Sequence, residues 1–259
     1  MVLIDTHVHL NFPDFREDME AVISRAKDFG VIKMINVGTD LQTSRESIRL
    51  AERFGFIYAT AGIHPHFADK FSEFADELGV LAKNPQVVAV GEIGLDYFRN
   101  LSTHQAQIEA FKSQLDLALS LSKPIVLHCR DAYTEMLGML EEYYIPRLPD
   151  GQIPGVIHSF AAGSSHLQKF LKQGFYVGIN NLVTYPKNLS LQDAVKILPL
   201  DRIVLETDCP YLPPQHLKGE RCEPIYVADV ARKVAELKGM SVKQVEDASA
   251  DNARTIFKI

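Results

Sequence analysis

The sequence predicts an α/β protein of the (β/α)8 TIM-type barrel kind, on three observations. Short β-branched runs alternate with helix-like segments along the chain. Most of those runs are continuously apolar rather than alternating, as expected of strands buried on both faces of a parallel sheet. The chain has 259 residues, and eight such units need about 250. Together these favour a single closed barrel domain over residues 1–259 rather than an open doubly wound sheet.

The strand-like runs are Val2–Asp5, Lys33–Val37, Ile57–Ala61, Val87–Val90, Pro124–His128, Gly155–His158, Phe175–Gly178 and Arg202–Leu205. Each is short, rich in Val and Ile, and bounded by polar or turn residues. Phe15–Phe29 reads as a helix because Met19, Val22, Ile23 and Ala26 fall on one stripe. Thr103–Leu121 repeats the pattern with Ile108, Phe111, Leu115 and Leu119. Glu223–Leu237 and Ser241–Phe257 are the last two helices, the second opening on a Ser241–Gln244 capping box. The Pro-containing stretch Ile145–Pro154 reads as a long loop before the sixth strand, because the alternation resumes directly after it.

Composition narrows the function classes. At 46% hydrophobic and 23% charged, the chain is an ordinary globular protein. A net charge of −6 argues against a broad basic face for wrapping duplex DNA, while leaving room for a local phosphate pocket. No apolar run approaches the ~20 residues of a membrane helix, so no membrane association is expected. No signal peptide is expected either. Cys129, Cys209 and Cys222 are widely spaced and odd in number, which points to a reducing, cytoplasmic compartment. No protein partner is implied.

Barrel chemistry sits at the C-terminal ends of the strands. Strand one runs into His7 and His9, and strand three into His64 and His66. Strand four runs into Glu92, strand five into His128 and Arg130, strand six into His158, and strand eight into Asp208. Residues i and i+2 of a strand share a face, so His7 and His9 project together. Any one of these residues has an ordinary structural reading. Together they would carry a large desolvation penalty unless divalent metal satisfied them. Four imidazoles and two carboxylates exceed the needs of one tetrahedral ion and suit two ions ~3.5–4 Å apart, with Glu92 as the bridge. Zn, Mn, Fe, Ni and Mg are all admissible, with an imidazole-rich set leaning toward a transition metal. Such a site attracts an anion, and His64, His66 and Arg130 stand where they could hold phosphate oxygens, Arg130 with the best-matched donor fork.

The motifs DTHVHL, GIHPH, GEIGLDYF, PIVLHCRDA, LETDCPYL and NARTIF occur in this order along nearly the whole chain. With them the sequence resembles the TatD family of metal-dependent hydrolases, deoxyribonucleases on amidohydrolase-type barrels. The resemblance implies that His7, His9 and Asp208 hold one metal, that His128 and His158 hold a second, and that Glu92 bridges them. It also implies that Asp208 is a candidate general base and that His64 lies near the scissile phosphate. The activity it implies is phosphodiester hydrolysis by a two-metal-activated water, as a 3′-to-5′ exonuclease on DNA. A metal-dependent hydrolase of a small phosphoester, ester or amide is the alternative. Two segments depart from the family pattern. Ile157-His158-Ser159-Phe160-Ala161-Ala162 stands where an HCFSG-like motif is usual after the sixth strand, and Lys218–Pro224 carries Glu220 and Cys222 where a basic residue and an amide are usual.

Overall fold

The computed structural model describes residues 2–259. In chain order the strands are β1 (Leu3–Val8), β2 (Val31–Asn36), β3 (Ile57–Ala61), β4 (Val87–Asp96), β5 (Ile125–Arg130), β6 (Gly155–Ile157), β7 (Tyr176–Ile179) and β8 (Ile203–Leu205). Between and after them run α1 (Met19–Phe29), α2 (Leu41–Arg53), α3 (Phe71–Leu81), α4 (His104–Leu121), α5 (Tyr133–Met139), α6 (Ser164–Lys172), α7 (Leu189–Ile197), α8 (Val227–Lys238) and α9 (Val242–Phe257). Strand order in the sheet is the sequence order, which is the topology of a (β/α)8 barrel.

The described residues divide into two compact units. The first holds the residues up to Asn36, then Ser159–Gln168 and Tyr176–Ile259. Within it β1 pairs in parallel with β2, and β7 with β8. Helix α9 packs on β1 and β8, and its capping box at Ser241 and Gln244 forms as the sequence predicts. Asn252 of the NARTIF motif donates to the carbonyls of Leu200 and Ile203 at 2.9 and 2.8 Å, which fixes the entry into β8. Such a bond satisfies backbone acceptors that burial would otherwise leave costly.

The second unit holds Val37–His158 and Lys169–Phe175. Here β4 pairs with β3 on one side and β5 on the other, and β5 pairs with β6, all parallel. One hydrophobic cluster joins Leu41, Ile48, Ala59, Ala61, Ile63, Leu78 and Val87, with Phe71 and Phe74 against it. Full burial of a Leu or Ile is worth about 1.5–3 kcal/mol, so this cluster anchors α2 and α3 to β3. Lys123 donates to the carbonyls of Ala82 and Val87 at 2.5 and 2.6 Å, tying the end of α4 to the turn after α3.

Several boundaries differ from the sequence reading, for local reasons. The predicted first helix begins as a single turn at Pro13–Phe15 and becomes α-helical only from Met19. The predicted loop Ile145–Pro154 is preceded by a wide π turn at Leu140–Tyr144 and opens with a tight turn at Ile145–Arg147. The largest change is at β4, which continues through Gly91-Glu92-Ile93-Gly94 to Asp96. Its pairing shifts between Val90 and Ile93, after which Gly94 faces His128 and Asp96 faces Arg130. Gly94 has φ +146°, and a Cβ there would lie 2.0 Å from the His128 carbonyl oxygen. Only glycine allows the two strands to approach this closely.

Candidate metal centre

The first unit gathers His7, His9 and Asp208. His7 Nε2 and His9 Nε2 lie 3.2 Å apart. Asp208 Oδ1 is 3.4 Å from His9 Nε2 and 3.8 Å from His7 Nε2. Both imidazoles are buried, while the Asp208 side chain remains 14% exposed. Local structure fixes this arrangement. The Asp208 amide donates to the His7 carbonyl at 2.9 Å, and the His9 amide to the Cys209 carbonyl at 2.9 Å. Asp208 itself has φ +60°, a left-handed conformation uncommon outside glycine but tolerated best by Asp and Asn.

Behind this group stands a carboxylate the sequence reading left without a role. Asp5, fully buried, accepts from the Thr207 amide at 3.0 Å and the Thr207 hydroxyl at 2.6 Å. Burial pushes its carboxyl well above the usual range, against the hydrogen bonds from Thr207 and the His7 amide. It joins the strand carrying the histidines to the segment carrying Asp208. Glu206 does a similar task nearby, accepting from the Ser159 amide at 2.6 Å.

The second unit gathers His64, His66, Glu92, Asp96, His128 and His158. Glu92 Oε1 lies 2.9 Å from His128 Nδ1, 3.6 Å from His64 Nε2 and 3.7 Å from His158 Nε2. Asp96 is the residue sequence reasoning missed. Its Oδ2 is 3.0 Å from both His128 Nε2 and His66 Nε2. Its Oδ1 accepts the amides of Phe98 and Arg99 at 3.0 and 2.8 Å. Burial opposes its charge, but the hydrogen bonds from His128, the Arg99 amide and His66 win and hold it well below the usual carboxylate range. His128 is drawn the other way. Burial disfavours its charge, yet Asp96 and Glu92 together raise its pKa. Ligation of a divalent ion by His128 would require the neutral ring.

His64 is distinguished from the other imidazoles by its tautomer. Its Nδ1 accepts the His66 amide at 3.1 Å. Burial, then the neighbouring His128, push its pKa well below the ordinary value, so the ring is neutral. A neutral ring that accepts at Nδ1 carries its hydrogen on Nε2. His64 Nε2 is therefore a donor, although it lies close enough to Glu92 and His128 to be grouped with them. The ligand atoms of His64, Glu92 and His128 lie within 4.8 Å of one another, and His158 Nε2 stands 3.7 Å from the same Glu92 oxygen. With His7, His9 and Asp208 in the other unit, each group offers imidazole nitrogens and one carboxylate, a donor set that fits a divalent ion.

The other predicted residues fall as follows. His66 is partly exposed and held by Asp96. Arg130 is exposed at the end of β5, with its guanidinium carbon 3.8 Å from the centre of the Phe98 ring. The three cysteines are buried and unbridged, and burial pushes each thiol upward, which leaves them inert as nucleophiles. In the atypical Lys218–Pro224 segment, Arg221 is committed to Asp18 at 2.7 Å and to Glu223 at 3.0 Å, and Cys222 is packed inside. No described helix is long and apolar enough to cross a membrane.

Comparison with known proteins identifies the fold and the family. A family profile described as TatD related DNase matches residues 4–258. The chain is 39% identical to a 3′-5′ ssDNA/RNA exonuclease TatD of Pantoea vagans, over 99% of this chain and all of that protein. It is 36% identical to an uncharacterized metal-dependent hydrolase, YabD, of Bacillus subtilis, over the full length of both. Among solved structures, the TatD homologue YJJV of Escherichia coli superposes with a TM-score of 0.92 at 31% identity, covering 99% of this chain and 98% of that one. The eight parallel strands are thus those of a TIM-type barrel, and the chain belongs to the TatD-related DNase family.

Proposed function

We propose that this protein is a metal-dependent phosphodiesterase that shortens single-stranded DNA or RNA from the 3′ end. The observation that carries the reading is a buried Glu92 with His64, His128 and His158 around one of its oxygens. Full-length relatives named as 3′-5′ ssDNA/RNA exonucleases support the choice of substrate. In this reading His7, His9 and Asp208 would hold one divalent ion, and the Glu92 group would hold another. Divalent ions bound there lower the pKa of water and neutralise charge on the phosphate.

The chain's own residues supply the rest. Asp208 is part-exposed, so it can orient a water and take its proton as phosphorus is attacked. His64 offers one N–H from a neutral ring to a non-bridging oxygen. Arg130 donates at the open side of the site, where the partly exposed His66 also stands. Asp96 holds His66 and His128 in place, as carboxylates commonly do behind ligating histidines. Three free buried cysteines fit a reducing compartment, and we place the protein in the cytoplasm.

A second reading, hydrolysis of a small phosphoester, is favoured by the Lys218–Pro224 segment. Its Arg221 is spent on Asp18 and Glu223, and Glu220 is exposed, so this loop adds little positive charge for a polyanion. The test is metal-reconstituted protein on 3′- and 5′-labelled single strands, beside a panel of small phosphoesters. Stepwise loss from the 3′ end is expected. Turnover of small phosphoesters with both strands intact would replace the first reading by the second.

A further inference from the structure

We propose that Phe98 and Arg130 form a stacking platform for an unpaired base of the single strand, one step outside the phosphate site; this rests on the nuclease reading above. Arg130 follows His128 by two residues on β5, so both side chains leave the same face, roughly 6.6 Å apart along the strand. Directly across from Arg130 lies Asp96, which holds His128 and His66. The platform is thus continuous with the groups assigned to phosphate.

Phe98 is 54% exposed and stands beside a buried polar cluster. Its backbone is nevertheless held. The amides of Phe98 and Arg99 both donate to Asp96 Oδ1, and Asn100 Nδ2 donates to the Tyr97 carbonyl at 3.0 Å. The Tyr97 ring stacks on His104, with centroids 3.7 Å apart. The next part of the loop is laced to the turn after β3, because the Ser102 hydroxyl donates to the His66 carbonyl at 3.1 Å. A ring carried on a backbone held this way, with Arg130 against it, loses less freedom on binding than one on a loose loop.

The chemistry selects the occupant. An aromatic face stacks on any base and is indifferent to sequence, as an exonuclease requires. A guanidinium 3.8 Å from the ring centre adds a cation–π contact while its N–H edges stay available to a phosphate. Bases within a duplex already have both faces covered, so the platform favours single strands.

The sequence contains no tryptophan, so Phe98→Trp installs a single reporter that a stacked base quenches. A short thymidine oligomer with phosphorothioate linkages, which resist cleavage, is expected to quench it, and an abasic oligomer of equal length is not. In turnover, Phe98→Ala is expected to raise KM for the base-bearing strand about tenfold with kcat nearly unchanged, since stacking is worth about 1–3 kcal/mol per base. It should leave KM for the abasic strand as it was. Equal quenching by both oligomers, no quenching, or an unchanged KM would overturn the platform even if the strand is shortened normally. Selective quenching without any cleavage would keep the platform and remove the exonuclease reading instead.

Discussion

The two donor groups are built in contrasting ways. His7 and His9 come from one strand end and meet a single loop residue, Asp208. Backbone hydrogen bonds between those two segments set the spacing. The Glu92 group draws its side chains from the ends of several strands and needs a second buried carboxylate, Asp96, to hold two of its imidazoles. Main-chain bonds join the two segments of the first group directly, whereas a side-chain carboxylate holds two imidazoles of the second. Changes behind the second group should therefore weaken metal binding, whereas changes behind the first should appear mainly as lost stability.

The largest effect expected is on catalysis. Asp208→Asn keeps a residue tolerant of φ +60° but removes the proton acceptor. Turnover of labelled single strands should fall about 10²–10⁴-fold with the melting temperature little changed. His64→Gln should cost about 10²–10³-fold in kcat, as for removal of a donor to a developing oxyanion. Metal content measured after dialysis should be unaffected by it. Loss of an ion in His64→Gln would make His64 a ligand and reverse the tautomer assignment.

Asp96→Asn comes next. Removing a carboxylate behind a ligating histidine typically costs 10–100-fold in metal affinity. Competition with a chromogenic chelator should show one weakened ion and one unaffected. Thr207→Val, by contrast, takes a hydroxyl from buried Asp5 and should lower stability by about 1–3 kcal/mol in urea titration. The smallest effect belongs to Arg221→Met. Its partners Asp18 and Glu223 are partly exposed, so the change should stay within about 1 kcal/mol and leave metal binding untouched.

How much of this could be read from residues alone depended on local patterning. His7 and His9, at the end of β1, were legible because strand alternation places i and i+2 on one face. Glu92 was legible as a carboxylate at a strand end, but its true setting inside β4 was not. Gly91 and Gly94 make that stretch read as a loop, so the strand was cut at Val90 and Asp96 was passed over. Had the strand been carried through, Glu92, Gly94 and Asp96 would have fallen at even spacing on one face. Asp5 and Thr207 were out of reach for another reason. They are 202 residues apart, and no local periodicity announces such a pair. The donor role of His64 depends on one backbone amide, which only coordinates reveal.

The central claim is that each of the two groups holds a divalent ion. Metal-free protein titrated with a divalent transition-metal ion and assayed for bound ion tests it directly. Two ions per chain are predicted, with one remaining in His7→Ala/His9→Ala and one remaining in His128→Ala/His158→Ala. A single ion in the unaltered protein, lost equally in both double variants, would contradict the account.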